Sequence, residues 1–231
     1  MAVILNIETS TEVCSAALTA EGMVLFHRED FEGRNHAALL SGFVKGCLDH
    51  LRDHEMKLDA VAVSLGPGSY TGLRIGLSEA KGLAYALDVP LIGVSTLELM
   101  AVSAMFSSAD IDPDALLVPM IDARRMEVYT AVYDFALDAL LAPQPMILDE
   151  SSYGEFRSGR NIVMFGNGSD KAKTLFADDT AVTFLPGIVP LATDMLALAE
   201  RAFMARDFID LAYSTPAYLK DFQATKPKPL F

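Results

Sequence analysis

The chain has 231 residues, a length that suits one large domain or two small lobes around a substantial core. Its formal net charge of −13 disfavours direct contact with nucleic acid, because affinity for a phosphate backbone is built from lysine and arginine contacts. Although 52% of the residues are hydrophobic, no run approaches the roughly 20 apolar residues that span a bilayer and no signal peptide is recognised, so we expect a cytoplasmic protein that binds no membrane.

The first half of the chain is predicted to alternate strands and helices. Alternating apolar residues and tight turns predict three successive strands, at Val3–Ile7, Val13–Thr19 and Met23–His27. Asn35 stands at the cap position of an amphipathic helix that runs to Leu51. The next four predicted elements are a strand, a helix, a strand and a helix, at Ala60–Leu65, Leu73–Leu87, Leu91–Val94 and Thr96–Phe106. Cys14 and Cys47 lack the spacing of a metal or redox pair, so we expect buried thiols.

The polar segment Ser107–Asp114 is predicted to separate an N-terminal lobe, residues 1–106, from a smaller C-terminal lobe, residues 107–231. Besides a short helix that opens at Ser151–Ser152, the second lobe is predicted to contain three strands and a helix, at Leu116–Ile121, Val128–Tyr133, Asn161–Phe165 and Leu191–Phe208. The tail, residues 209–231, is expected to pack back on the first lobe. This order of elements predicts an α/β fold of two lobes with mixed sheets flanked by helices.

The most distinctive motif is the glycine-rich segment Gly66–Gly76, which joins a predicted strand to a predicted helix. Such turns commonly bind phosphate, because the first N–H groups of a helix have no partner within the helix. The spacing G-x-G-x-x-x-G is one residue longer than the dinucleotide fingerprint, and the lysine of a P-loop is missing. Alternatively the glycines are structural, with Gly66 and Gly68 forming a tight turn and Gly72 and Gly76 allowing close packing of the helix.

A second candidate lies at the tip of the first predicted hairpin, where Glu8, Thr9 and Ser10 follow one another. A carboxylate with neighbouring hydroxyls can hold a phosphate group or Mg²⁺, but the same residues also make ordinary turns. Together with Gly66 and Gly68 they form the candidate cofactor site. The sequence offers no catalytic nucleophile and no histidine pair with a third metal ligand, so we predict neither a catalytic residue nor a metal site.

Several segments together resemble the bacterial TsaB (YeaZ) family, and the resemblance spans nearly the whole chain. The segments are Ile7–Thr11, Arg34–His36, Gly66–Gly76, Ile121–Tyr129, Phe165–Gly168 and Pro216–Leu219. The resemblance implies an actin/Hsp70-like (ASKHA) fold. It also implies an accessory role in the synthesis of threonylcarbamoyladenosine in tRNA, in which the chain binds and activates the catalytic paralogue TsaD and works with the ATPase TsaE. Contact with tRNA would then occur only through the complex.

The comparison with TsaD implies that this chain is not itself catalytic. Where TsaD carries a metal-binding His-Met-Glu-Gly-His, this chain has Thr96–Met100, and threonine and methionine are poor ligands for such a metal. Asp122–Arg125 replaces the second glycine-rich phosphate turn. We therefore expect no tightly bound cofactor and at most weak binding of ATP or ADP at an interface of the complex. An older label for the family, glycoprotease, has no support in these residues. The alternative is a weak nucleotide-binding, ATPase-like enzyme of the ASKHA superfamily.

Two long helices carry small residues outside their apolar arcs. The candidate interface residues are Leu39, Gly42 and Gly46 on the first helix and Ile75, Glu79, Gly82 and Ala86 on the second. Small residues let another helix approach closely, so two such helices would form half of a four-helix interface. If the glycines were incidental, each would destabilise its helix by up to about 1 kcal/mol. By resemblance, these helices pair with TsaD, or with a second copy of the chain when TsaD is absent.

Overall fold

The structure is a computed structural model that describes residues 2–33, 35–108 and 110–220. Sheet 1 has the strand order β3-β2-β1-β4-β5 and is mixed, since β1 to β3 are antiparallel and β4 and β5 run parallel to β1. Its strands are β1 (Val3–Glu8), β2 (Cys14–Ala20), β3 (Met23–Asp30), β4 (Ala60–Gly66) and β5 (Leu91–Ser95). The structure confirms the meander that the alternating sequence predicted for β1 to β3.

Sheet 2 repeats the same pattern with the order β10-β9-β6-β7-β8, again with three antiparallel strands and two parallel ones. Its strands are β6 (Leu116–Asp122), β7 (Glu127–Tyr133), β8 (Ala139–Ile147), β9 (Ile162–Phe165) and β10 (Val182–Leu185). The predicted α/β class with two mixed sheets is therefore confirmed.

The helices of the described residues cover the faces of both sheets. They are α1 (His36–Asp53), α2 (Tyr70–Leu87), α3 (Thr96–Ser107), α4 (Gly154–Arg157), α5 (Ser169–Phe176) and α6 (Leu196–Ala205), and a 3-10 turn (Ala192–Met195) precedes α6. Helices α1 and α2 share one core with sheet 1, in which Leu40, Val44 and Leu77 are buried. Helix α3 contacts strands of both sheets and is buried almost all round, which explains its uniformly apolar sequence. Arg34, which was expected to help open α1, lies outside the described residues.

The structure differs from the sequence-based expectation in the second half of the chain. Strand β8, helix α5 and strand β10 were not predicted, and the helix expected at Leu191–Phe208 is shorter, beginning with the 3-10 turn. Helix α6 belongs to the residues expected in the second lobe, yet Leu198 and Ala199 pack with Ile4 and Ile92 in the core of sheet 1. We use "first lobe" below for sheet 1 with α1, α2 and α6, and "second lobe" for sheet 2 with α4 and α5.

After α6 the chain returns along the first lobe. Ile209 forms an antiparallel bridge with Leu91 at the edge of β5, and the Ala217 N–H donates to the Leu65 carbonyl at 2.7 Å. The description ends at Lys220, so the part of the tail from 221 to 231 lies outside it. No helix within the described residues is both long and apolar enough to cross a membrane.

Candidate functional site

A cleft of about 780 Å³ lies between the two lobes. Three parts of the chain form most of its walls: the glycine-rich turn with the start of α2, the turn between β6 and β7, and the end of the described tail. Of the five residues predicted to hold a cofactor, Ser10 and Gly68 line this cleft, whereas Glu8, Thr9 and Gly66 do not. The predicted site is thus brought together at one place, but most of it is covered.

The glycine-rich turn leads from β4 into α2 through a capped helix start. Ser69 is the N-cap, and its hydroxyl accepts a hydrogen bond from the Gly72 N–H at 3.2 Å. Gly66 has a φ of +112°, a left-handed conformation that favours glycine. Its α-carbon is covered by the Leu73 side chain and the Ala217 carbonyl, since a Cβ placed there would lie 3.0 Å and 3.3 Å from them. Gly66 is therefore buried beneath the tail rather than open to a ligand.

The other glycines leave room for the turn between β1 and β2, not for a phosphate. A Cβ added at Gly68 would come within 3.0 Å of the Ser10 backbone, and one at Gly72 or Gly76 would come within that distance of Thr9. Real Cβ atoms essentially never approach another heavy atom so closely. The glycines thus allow the start of α2 to pack directly on the Thr9–Ser10 backbone.

Hydrogen bonds fix this packing from both sides. The Ser69 N–H donates to the Ser10 carbonyl at 2.7 Å, and the Thr9 hydroxyl donates to the Gly72 carbonyl at 2.9 Å. Both side chains of the turn, Thr9 and Ser10, are fully buried. The space that a phosphate cradle of this kind would offer is occupied by the chain's own turn, so the structural interpretation of the glycines is the one that the geometry favours.

Glu8 is a buried carboxyl group rather than an exposed ligand. It is fully buried, and its Oε1 accepts a hydrogen bond from the Ser10 N–H at 2.5 Å, while Oε2 has no partner within the described residues. Burial raises the pKa of Glu8 to about 7, and the hydrogen bonds from Ser10 lower it only in part. Neither the Glu8 nor the Thr9 side chain lines the cleft, so in this arrangement neither presents its oxygens there to a phosphate or to Mg²⁺, and their part in a cofactor site stays a prediction.

The opposite wall of the cleft is a charged turn between β6 and β7. Burial of Asp122 opposes ionisation, but hydrogen bonds from Lys171, at 2.9 Å, and from the Arg124 N–H, at 2.6 Å, hold the pKa of this carboxyl below its usual range. Arg124 and Arg125 both have left-handed backbone conformations, with φ of +72° and +50°. Glu127, at the start of β7, ion-pairs with Lys220 of the tail.

No metal centre accompanies these groups in the part of the chain that the structure describes, where no three His, Cys, Asp or Glu side chains are grouped as metal ligands. Thr96 and Met100, the positions compared above with the metal-binding motif of TsaD, are both buried in the first half of α3. His50 and His54 stack on each other at the end of α1, with ring centroids 4.1 Å apart, and they belong to no such group within the described residues.

Helices α1 and α2 present an outer face with two open glycines. A Cβ added at Gly42 or Gly82 would have no heavy atom within 4 Å among the described residues, and Ala86 is exposed. The Ser41 hydroxyl donates to Glu79 at 3.1 Å and ties the two helices together. A second helix could therefore approach this face at backbone distance.

The remaining predicted interface residues are less open. Leu39 and Ile75 are half-buried, and Ile75 packs against the core of sheet 1. Gly46 does not belong to the open face, since a Cβ there would lie 3.1 Å from the Phe26 ring of β3. The small residue at Gly46 makes room for a neighbouring side chain of the same molecule, and its place in the interface stays a prediction.

Sequence reasoning missed the tail's part in the cleft. Tyr218 and Lys220 line the cleft, and the Lys171 side chain of α5 donates a hydrogen bond to the Asp122 carboxylate in its wall. The segment Pro216–Leu219 was a recognisable motif, but a motif in an irregular tail carries no periodicity from which its location can be derived.

Comparisons with known proteins show which family this chain is similar to. A family model described as TsaD, tRNA N6-adenosine threonylcarbamoyltransferase, matches residues 30–228. The chain is 32% identical to the tRNA threonylcarbamoyladenosine biosynthesis protein TsaB of Escherichia coli (strain K12), over 98% of each chain. It is 31% identical to the TsaB protein of Bacillus subtilis (strain 168), over 76% of this chain and 75% of that protein.

Solved structures agree with this grouping. YeaZ from Pseudomonas aeruginosa matches with a TM-score of 0.77 at 28% identity, over 95% of this chain and 100% of that one. An inorganic polyphosphate/ATP-glucomannokinase from Arthrobacter sp. strain KM matches with a TM-score of 0.53 at 10% identity, over 89% and 100% of the two chains. At that identity the likeness shows the fold alone, which is the two-lobed ASKHA fold.

Proposed function

Because the chain belongs to the TsaB (YeaZ) family of tRNA threonylcarbamoyladenosine biosynthesis proteins, we propose that it is the non-catalytic accessory subunit that binds and activates TsaD and supports the recruitment of TsaE. The observation that carries this proposal is the open face of α1 and α2. Gly42 and Gly82 each leave room for a close backbone approach, at positions where glycine weakens an isolated helix. A partner that uses this room compensates for that loss.

The cleft supports an accessory role as well. The glycine cradle is filled by Thr9 and Ser10, and Glu8 is buried behind them, so the parts that would bind a phosphate are engaged in holding the fold. We propose that the chain binds no nucleotide tightly on its own and that any ATP or ADP is held weakly at an interface of the complex. The charge of −13 supports contact with tRNA only through the partners.

The open face of α1 and α2 would pair with a second copy of the chain when TsaD is absent. The cytoplasm is the proposed location.

The decisive experiment places an arginine on the open face. Gly82→Arg adds no internal clash, and arginine is a better helix former than glycine by up to about 1 kcal/mol, so the isolated chain should melt at the same or a higher temperature. In size-exclusion chromatography with its TsaD, the variant should no longer co-elute. The control is Gly159→Arg, at a glycine of the second lobe that is equally open.

Normal co-elution of a folded Gly82→Arg variant would remove this surface from the interface. Gly46→Arg is not a fair test, because its side chain would displace Phe26 within the molecule.

Calorimetry with ATP and Mg²⁺ on the isolated chain distinguishes the accessory role from the alternative, an ATPase-like enzyme. We expect weak or undetectable binding. Micromolar affinity together with turnover would favour the enzyme and contradict the accessory role.

A further inference from the structure

The tail after α6 crosses from the first lobe to the second and borders the cleft. We call residues 209–220 the tail strap. Its first part is anchored on the first lobe, where Ile209 bridges Leu91 and both Ile209 and Leu211 pack against the core of sheet 1. Lys81 of α2 then donates to the carbonyls of Ala212 and Ser214, at 3.3 Å and 2.7 Å. These contacts attach the strap firmly up to its middle.

The second part of the strap runs over the start of α2. The Ala217 N–H donates to the Leu65 carbonyl, and the Tyr218 ring lies 5.0 Å from the Tyr70 ring between centroids. The Arg74 Nε donates to the Tyr218 hydroxyl at 3.0 Å, while the Arg74 guanidinium lies 4.1 Å from the centre of the Tyr70 ring. Residues 217–220 therefore form one edge of the cleft.

Among the described residues of the strap, the last one is bonded to the second lobe, through the ion pair of Lys220 with Glu127. Glu127 cannot follow the strap, because its carbonyl accepts a hydrogen bond from Lys171 at 2.8 Å and its N–H donates to the Arg124 carbonyl at 3.1 Å. If the pair separates, the part that moves is the end of the strap, residues 219 and 220, because Ala217 and Tyr218 stay bonded to Leu65 and Arg74.

We propose that residues 219 and 220 are a latch on the cleft, held closed by the Lys220–Glu127 pair and opened when that pair separates, so that this edge of the cleft opens to solvent. This inference does not depend on the proposed function. Solvent and salt reach the pair, since its two side chains are 35% and 19% exposed. Ion pairs of this kind shift an equilibrium by no more than about five-fold and are weakened by salt.

The chain is well suited to a thiol reporter. Cys14 and Cys47 are fully buried, and burial raises their pKa values to about 11 and about 12, so they react slowly with thiol reagents. Leu219 lies within the latch and is half-buried, so Leu219→Cys places a single responsive thiol at the moving segment. The rate at which a disulfide reagent labels it measures how often the latch opens.

The test compares this rate with and without the ion pair. Adding Lys220→Gln should speed labelling about two- to five-fold at low salt. Raising the salt concentration should speed labelling in the parent and leave the Lys220→Gln variant unchanged. The control is Lys173→Gln, which removes the Lys173–Asp170 pair on α5, a pair that has no contact with the strap.

Glu127→Gln supplies the same test from the second lobe. It should match Lys220→Gln, and the double variant should label no faster than either single variant, because both remove one interaction. If labelling is as slow in Lys220→Gln as in the parent at every salt concentration, the pair does not hold the strap and the proposal fails. If the two single effects add fully, they do not report a shared contact and the proposal fails as well. Equal circular-dichroism melts confirm that each variant is folded.

Discussion

Replacing Gly72 by alanine tests whether the glycine-rich motif is a packing device. The added Cβ would come within 3.0 Å of the Thr9 carbonyl oxygen, which is backbone and cannot rotate away. Two hydrogen bonds also hold the β1–β2 turn against the start of α2: the Ser69 N–H donates to the Ser10 carbonyl, and the Thr9 hydroxyl donates to the Gly72 carbonyl. The Cβ would lie 2.1 Å from that oxygen of Thr9, so either the start of α2 or the turn has to retreat by more than an ångström before the contact reaches the 3.4 Å at which ordinary packing begins.

The magnitude follows from two opposing effects. Overpacking of a well-packed site destabilises proteins by about 1–3 kcal/mol, and a rigid backbone neighbour places Gly72→Ala at the upper end. Alanine in a helix gains up to about 1 kcal/mol over glycine. We therefore expect a net loss of about 2 kcal/mol in the free energy of unfolding, which lowers the melting temperature by roughly 4–8 °C in a chain of this size.

The matched control lies in the same helix. Gly82→Ala has the same chemistry and no heavy atom within 4 Å, so it should gain up to about 1 kcal/mol. Urea unfolding of the three proteins measures both changes against the parent. If Gly72→Ala is as stable as Gly82→Ala, the glycine does not pack on the turn and the structural account of the motif is refuted.

Two further predictions concern carboxyl groups, one buried behind the cleft and one on its wall. The pKa of Glu8 is raised from 4.5 to about 7 in the folded chain, so the folded state binds the carboxyl proton of Glu8 more tightly than the unfolded state does. The stability gained from this proton is fully present below pH 4.5 and is lost as the pH rises through 7. Glu8→Gln should abolish that loss, so the difference in unfolding free energy between variant and parent should change by about 3 kcal/mol between pH 4.5 and 7. Parallel curves of unfolding free energy against pH for the two proteins would contradict the burial of Glu8. Lys171→Met should raise the pKa of Asp122 toward its usual range, as followed by carboxyl-carbon NMR, and an unchanged titration would show that Lys171 does not hold this group.

The first lobe could be predicted well because its elements are strongly periodic. The strands β1 to β5 and the helices α1 to α3 were expected in order, with ends that differ by a few residues at most. In sheet 2 the signals are weaker. Strand β8 contains Pro143 and Pro145, which argue against a strand unless it lies at an edge, where β8 in fact lies. Helix α5 is a short helix with only Ala172 and Phe176 as buried apolar residues, too few to reveal a period.

The candidate site shows where sequence reasoning stops. The motif around Gly72 and the turn at Thr9 were both noticed, but nothing in either segment says that one fills the other. They are separated by 63 positions along the chain, and only the parallel pairing of β1 with β4 brings them together. The surroundings of Gly46 could not be predicted for a similar reason. Helical periodicity gives the angle of Gly46 on α1 but does not show that Phe26 of β3 lies beside it.

The packing of α6 on sheet 1 has a consequence for synthesis on the ribosome. Ile4 and Ile92 belong to a face of sheet 1 that is covered by Leu99 and Val102 of α3 and by Leu198 and Ala199 of α6. All strands of sheet 2 are made between α3 and α6. This face of the N-terminal sheet therefore stays only partly covered, by α3, until α6 has been synthesised, and apolar surface left exposed on a nascent chain favours aggregation and chaperone binding. The second lobe, whose strands are contiguous, can fold first.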